Sequence, residues 1–589
     1  MKNTKNIFLN TKSPNFYEEN NSIFSFPYDS IEFKGKMHDD FEFEYNYYMS
    51  IKVSDMLFDL RKEAGLDTKD GVSIGTEEGS WYHLGGNVLG QWLQAYARFY
   101  ASTKREEVLL KAKELVSGFK EISDVNHELF DGLVMYFFEK YLRGFTDCYV
   151  LCGIEDALII AKRLIESAMK SNIYQNPELL LGNNGPGYEI EWYTIPESIL
   201  YFADVYRRST NNNVDLYYDF AKKFAYYSYW NIFVSDDDFY DYTPLGGQNT
   251  GHFHAYSHLN TLNSCAYLYN ITKDKYYFDA IKKCYDWFKK EQALPTGAYG
   301  THIEWLLPKT GIINAIKNYH DSFETQCNSY AVYRVGNYLL TSTKEAKYAD
   351  WSERLIFNAT LASAHIDKCG HAFYYSDYNT KESKKFLHDN TWTCCTGSRP
   401  LLMNELRRSV YFYDVESIYI AQFISSKINL NGLIVDMDVD YKKEMIVNIN
   451  IKTNNTNIKY IKIRKPEWVK DNFKVSSNYE ISNGWIVVDI SNKTIEVKYP
   501  LKVEVDVIDS KGDGIASLRV GPIVLASSTG LDIKLNLLEE YKDLKYVSPL
   551  HYESHNGSIK WKPFMEFNLG EPYHMFYSLR EYLKKEEKV

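Results

Sequence analysis

The sequence predicts an α+β multidomain fold, with an N-terminal (α/α)6 helical barrel followed by C-terminal β-sandwich modules. Three observations predict it. The chain has 589 residues, more than one ordinary hydrophobic core supports. From about Met49 to Ala364 apolar residues recur three and four positions apart, the spacing of amphipathic helices. After about Ile418 the period changes to two, the spacing of half-buried strands.

Taken in order, the opening MKNTKNIFLNTKSPNFYEEN carries basic residues but no apolar core of signal-peptide length. This segment, to about residue 30, is expected to pack on the β module. EEVLLKAKELVSGFKEI, IEDALIIAKRLIESAMK, IPESILYFADVYRRS, LYYDFAKKFAYYSYW and YFDAIKKCYDWFKKE each set an apolar stripe against a charged face. Short polar joints such as STNNNVD and NITKDKYY suit antiparallel helical hairpins, and repeated hairpins close into a toroid. MIVNINIKT, IKYIKIRK, GWIVVDIS and TIEVKYPLKVEVDVI alternate and are rich in Val and Ile, so they read as strands. The expected domains are a barrel over 1–425, a β-sandwich over 426–530 and a β-rich extension over 531–589.

Composition narrows the function. The net charge of −11 includes no long basic run, which argues against nucleic acid and against an anionic membrane as partners. No stretch is apolar for long enough to span a bilayer, so a soluble, cytoplasmic protein is expected. Eight cysteines at irregular spacing do not make a disulfide framework, and Cys148, Cys152, Cys265, Cys284 and Cys369 read as buried small hydrophobes. The 51 tyrosines and 11 tryptophans suit sugar rings, and they equally suit the cores of large helical domains.

Chemistry is concentrated in three segments. HDNTWTCCTGSRP holds the neighbouring Cys394 and Cys395, which are too close in sequence for ordinary disulfide geometry. SFETQCNSY holds Glu324 and Cys327, three apart at the start of a helical run, so both could share a face. Together they form a Cys₃Glu set that suits tetrahedral zinc, while spacing alone also admits a helix-start glutamate and three core cysteines. Metal coordination would ionise a thiol and make it a nucleophile, which then needs a general acid for the leaving group. LPTGAYGTHIEWLL offers Glu304, flanked by Ile303 and Trp305, where apolar surroundings would keep a carboxyl protonated; a surface-loop glutamate is the other reading.

Several motifs resemble family 127 of the glycoside hydrolases, the β-L-arabinofuranosidase-type family, from near residue 30 to about 525. YYMSIKVSDMLFDLRKEAGL is similar to the family's opening, HLGGNVLGQWLQAYA to its first barrel helix, and EWYTIPESILYFADVYRRS to an acidic residue preceding a helix. SHLNTLNSCAYLYNIT resembles the family's H-A-N-T motif at His258, Asn260 and Thr261. TGAYGTHIEW looks like the loop ending in the acid/base glutamate, WTCC like W-x-C-C, and IRKPEW and LRVGPIVLA like two β-region signatures.

The resemblance implies a retaining glycosidase acting on terminal β-L-arabinofuranosyl groups of small oligosaccharides or glycoconjugates. It implies Cys394 as nucleophile, Glu304 as acid/base, and zinc held by Glu324, Cys327, Cys394 and Cys395. It places His258, Tyr375, Glu191 and Trp392 among the sugar contacts, with His83 a pocket candidate that could also be a satisfied core histidine. A small carbohydrate is the expected partner, and a homodimer is compatible with the β module. The chain departs from the family in ETQC, where E-T-C is usual, in TGSRP after the cysteine pair, and in Glu139, where many members carry histidine. Two alternatives stay open: a non-catalytic sugar-binding relative, and an α/α-barrel uronyl hydrolase, lyase or epimerase without zinc.

Overall fold

The computed structural model describes residues 22–74, 86–126, 135–171, 174, 192–241, 253–389, 391–454, 457–508, 515–528, 541 and 544–578. Six helical walls form a closed ring. They are α1 (Gly86–Thr103), α2 (Met135–Cys152), α3 (Ile195–Thr210), α4 (Ala255–Asn260 continued by Leu262–Thr272), α5 (Thr325–Thr343) and α6 (Cys394–Val410). Each packs on the next, and α6 returns to α1. Helices such as Glu106–Val125, Glu155–Lys170 and Lys275–Trp287 pack outside this ring. Their amphipathic pattern explains the outer position: Glu155–Lys170 buries Leu158, Ala161, Leu164, Ile165 and Ala168 and leaves its charged face to solvent.

The inner helices approach closely where glycine permits it. A Cβ at Gly90 of α1 would lie 2.6 Å from the Lys140 carbonyl carbon of α2, and one at Gly144 would lie 2.6 Å from the Gly90 oxygen. Wall α6 contains Pro400, which cannot donate to the Thr396 carbonyl, and the Tyr48 hydroxyl takes that acceptor instead.

Two six-stranded sheets follow. One runs in the order Phe24–Ser25, Tyr411–Tyr413, Ser417–Ile420, Tyr460–Arg464, Trp485–Asp489, Glu480–Ser482. The other runs Lys474–Val475, Thr494–Pro500, Glu444–Thr453, Leu433–Tyr441, Ser426–Leu430, Ile31–Phe33. The two layers meet at Tyr499, whose hydroxyl donates to the Arg464 carbonyl at 2.8 Å. Residues 24–33 thus supply a strand to each sheet before the barrel begins.

The sheets divide the chain differently from the expected domain limits. After the barrel the strands begin at Tyr411, ahead of 425, and Tyr411–Tyr413 and Ser417–Ile420 are buried along their whole length, so they show no alternation. The segment TIEVKYPLKVEVDVI splits at Pro500 into Thr494–Pro500 of the second sheet and Val503–Val507 of a third. That third sheet joins Ile515–Val520 and Ile523–Ser527 to Lys560–Pro563, His551–Glu553 and Lys545–Ser548, so it crosses the 530/531 limit.

Polar contacts fasten these layers to the barrel. Arg464 is fully buried against Asp350 and Glu353 of the helix Asp350–Leu355. Asn358 donates to the Pro522 carbonyl at 2.8 Å and accepts from the Val524 amide at 2.9 Å. Among the described residues, no helix is long and apolar enough to cross a membrane.

Candidate active site

The N-terminal ends of α4, α5 and α6 open at one end of the ring, and local pairings bring the reactive side chains there. Glu324 ends the short strand Phe323–Glu324, which pairs with Tyr375–Ser376 so that Glu324 lies opposite Tyr375. The chain then turns directly into α5, where Cys327 sits in the first turn. Glu324 is therefore in the extended residue capping the helix, and the strand-to-helix junction, not a shared helical face, aims it at Cys327. Cys394 and Cys395 occupy the first turn of α6, beside α5.

The four groups converge, with one ligand atom from each lying within 4.8 Å of all the others. Cys394 Sγ is 3.3 Å and Cys395 Sγ 3.8 Å from Glu324 Oε1, and Cys395 Sγ is 3.9 Å from Cys327 Sγ. A tetrahedron with metal–sulfur bonds of about 2.3 Å has edges of about 3.8 Å, so these separations match the outline of a zinc-sized site. Glu324, Cys327 and Cys395 are buried, and Cys394 alone of the four is partly exposed.

The electrostatics agree with a cation in this place. Burial pushes the Glu324 carboxyl up, with Glu304 and Cys394 adding to the effect, and burial likewise pushes up the Cys327 and Cys395 thiols. Hydrogen bonds from the Cys327 and Cys395 thiols hold Cys394 well below the ordinary thiol value. Without a cation the set therefore carries its negative charge on one sulfur, and ionising the other groups requires positive charge among them. Glu324 Oε2 is buried and lies 3.5 Å from His254 Nε2, too long for a strong hydrogen bond, which leaves that oxygen able to serve a metal.

Glu304 ends the single helical turn Thr301–Glu304, set in a loop with strained backbone: His302 and Glu304 have φ of 60° and 68°, in the left-handed region. The loop is fixed by the bridge between His254 and Trp305 and by the Leu306 amide donating to the Phe253 carbonyl at 3.0 Å. Ile303 and Trp305 are its neighbours in sequence, yet the immediate partners of the Glu304 carboxyl are polar. Tyr374 and Tyr375 donate to Oε1, the latter at 2.9 Å, and His254 Nε2 is 2.6 Å from Oε2. The Tyr374 oxygen is also 3.6 Å from Cys394 Sγ, so one phenol touches both Glu304 and the exposed sulfur.

The fold thus brings Glu304, Glu324, Cys327, Tyr375, Cys394 and Cys395 together. His258 stands one helical turn behind His254, its Nδ1 bonded to the His254 carbonyl at 2.8 Å and to the Tyr193 hydroxyl at 3.0 Å. Burial among Tyr193, Tyr229 and Phe253 pushes its pKa down to about 3. Trp392 is buried against Trp92, with ring centroids 5.2 Å apart, and against Gly370. His83 and Glu191 lie outside the described residues. Sequence reasoning missed His254 and Tyr374. For His254 the available signal was a histidine four residues before His258, and for Tyr374 a tyrosine beside Tyr375.

The family model described as β-L-arabinofuranosidase, GH127 catalytic domain, matches residues 33–405. No curated protein matches the chain. Among solved structures, a GH127 β-arabinofuranosidase aligns with a TM-score of 0.67 at 14% identity, covering 96% of this chain and 99% of the other. A GH127 β-L-arabinofuranosidase from Geobacillus stearothermophilus T6 aligns with a TM-score of 0.61 at 13% identity, covering 93% and 99%. A protein described as a glycoside hydrolase aligns with a TM-score of 0.64 at 13% identity, covering 96% and 100%. At such identities the structural likeness speaks for the shared fold.

Proposed function

The chain belongs to the GH127 β-L-arabinofuranosidase family and is a glycosidase, and from that premise we propose that it releases terminal β-L-arabinofuranosyl or closely related residues from small glycans with retention of configuration. The observation that carries the proposal is the convergence of three thiols and a carboxylate beside a hydrogen-bonded glutamate. Glu324, Cys327, Cys394 and Cys395 would hold zinc. Such an ion would keep the thiols ionised at neutral pH.

The chain's own groups then divide the work. Cys394, the exposed sulfur, attacks the anomeric carbon and forms a C–S bond as the glycosidic C–O bond breaks. Glu304 gives a proton to the departing oxygen. In the second half Glu304 takes a proton from water, whose oxygen displaces the sulfur and returns the thiolate. Tyr374, Tyr375 and His254 fix the Glu304 carboxyl throughout.

Retention is supported by distance. Inverting glycosidases hold their two groups about 6.5–9.5 Å apart to admit a water. A single phenol oxygen in contact with both Glu304 and Cys394 keeps them closer than that.

The test is a zinc determination together with a panel of chromogenic furanosides and pyranosides. One zinc per chain and preferential hydrolysis of the β-L-arabinofuranoside, abolished by Cys394→Ala, is expected. A protein that binds no zinc, or a Cys394→Ala variant that hydrolyses normally, refutes the proposal.

A further inference from the structure

Below the two cysteines on α6, a third polar side chain faces the same way. Ser398 follows Cys395 by three residues and Cys394 by four, the spacings that stack side chains on one helical face. Its hydroxyl oxygen is 3.0 Å from Cys327 Sγ. It is also 3.0 Å from Nε2 of Gln91, which reaches across from α1 and lies 3.2 Å from the Cys394 carbonyl oxygen. Cys327, Ser398 and Gln91 are each no more than 2% exposed, so bulk water does not compete for these bonds.

The direction of the chain of bonds follows from its ends. The Cys394 carbonyl can only accept, so the Gln91 end that faces α6 is the amide nitrogen. Ser398 Oγ therefore receives an N–H from Gln91, which leaves its own proton available to its other partner, the Cys327 sulfur. Packing keeps the amide in place. A Cβ at position 397 would lie 2.1 Å from Gln91 Oε1 and 2.6 Å from Gln91 Cβ, and the residue there is Gly397. Gln91 Oε1 has no hydrogen-bond partner among the described residues, so the donor end alone gains bonds that offset the burial of the amide.

We propose that Gln91 and Ser398 are positioning residues for the metal centre: Gln91 orients the Ser398 hydroxyl, and that hydroxyl fixes the Cys327 sulfur as a ligand. The proposal rests on the zinc reading given above. Outer partners of this kind typically change metal affinity by about 10–100-fold when removed. Both act through the Cys327 sulfur, so their effect is on the metal site and reaches turnover through it.

The experiment measures zinc affinity of the full chain by competition with a chelator, and the sulfur-to-metal absorption band of the Co(II)-substituted protein. The variants are Ser398→Ala, Gln91→Glu and the double variant. Gln91→Glu keeps the shape, and above the pH at which its buried carboxyl ionises it offers only acceptors, so Ser398 donates to it and leaves Cys327. Each single variant is expected to lose about tenfold or more in zinc affinity and to shift the Co(II) band, and the double variant to be no weaker than the worse single one. If Ser398→Ala fails to fold, the isosteric Gln91→Glu carries the test alone. Wild-type affinity and an unshifted band in a folded single variant overturn the relay, as do losses that multiply in the double variant. A wild type that binds no zinc removes the metal reading itself, whereas tight wild-type binding with unaltered variants removes the relay only.

Discussion

Replacing Glu304 by glutamine separates proton delivery from every other property of the site. The amide is the same size, and its oxygen can keep both tyrosine donors that now meet Oε1. Its nitrogen would face His254 Nε2, which accepts once the imidazole proton moves to Nδ1. The Ser257 hydroxyl, 3.0 Å from Nδ1, can serve that tautomer as acceptor. The ground state therefore loses little, and the effect on rate reports the missing proton. General acid catalysis contributes about 10²–10⁴-fold, or roughly 3–5 kcal/mol. The assay compares first-turnover rates on an arabinofuranoside with a poor alkyl leaving group and on one with a nitrophenyl leaving group, which departs without protonation. The alkyl substrate is expected to slow by about 10³-fold and the nitrophenyl substrate by far less. Equal slowing of both would refute the assignment of Glu304 as proton donor.

Three further perturbations have defined outcomes. Tyr374→Phe removes the phenol shared by Glu304 and Cys394. A hydrogen bond to a charged group is worth about 1.5–3 kcal/mol, so kcat should fall roughly 10–100-fold in steady-state assays, and an unchanged kcat contradicts the bridging role. Gly397→Ala forces Gln91 off two hydrogen bonds and overpacks the α1–α6 contact, at about 1 kcal/mol per bond and roughly 1–3 kcal/mol for packing, against a helix-propensity gain of about 1 kcal/mol. The net loss of about 2–4 kcal/mol should lower the denaturant midpoint, and an unchanged or raised midpoint contradicts it. Arg464→Met strands two buried carboxylates between barrel and sheet, at about 3–5 kcal/mol. Burial pushes Asp350 up to about 7, so the folded state holds this proton more tightly than the unfolded chain. Stability from Asp350 should fall as pH rises from about 4 towards 7, and the variant should recover as pH is lowered; a pH-independent loss contradicts this.

Local periodicity carried most of the fold in the sequence. EEVLLKAKELVSGFKEI is the helix Glu106–Val125 and MIVNINIKT lies within the strand Glu444–Thr453, because each buries one face whose spacing is visible without its partner. TIEVKYPLKVEVDVI shows where this ends: its alternation is continuous, yet its two halves belong to different sheets, a fact set by pairing with residues far along the chain. In the site, the adjacency of Cys394 and Cys395, the spacing of Glu324 and Cys327 and the neighbours of Glu304 nominated the candidates, and the resemblance to the family supplied their roles. His254, Tyr374, Gln91 and Ser398 were not readable. Their roles depend on the pairing of Glu324 with Tyr375, the bridge from His254 to Trp305 and the packing of α1 on α6, none of which leaves a local pattern.

The Cys394 sulfur is the atom proposed to take the sugar. Peptide mapping by mass spectrometry of the Glu304→Gln variant, quenched during turnover of a nitrophenyl β-L-arabinofuranoside, observes that atom directly. A pentosyl group is expected on the peptide carrying Cys394, absent in the Cys394→Ala background. A sugar adduct on any other residue, or steady turnover with Cys394 unmodified, would contradict it.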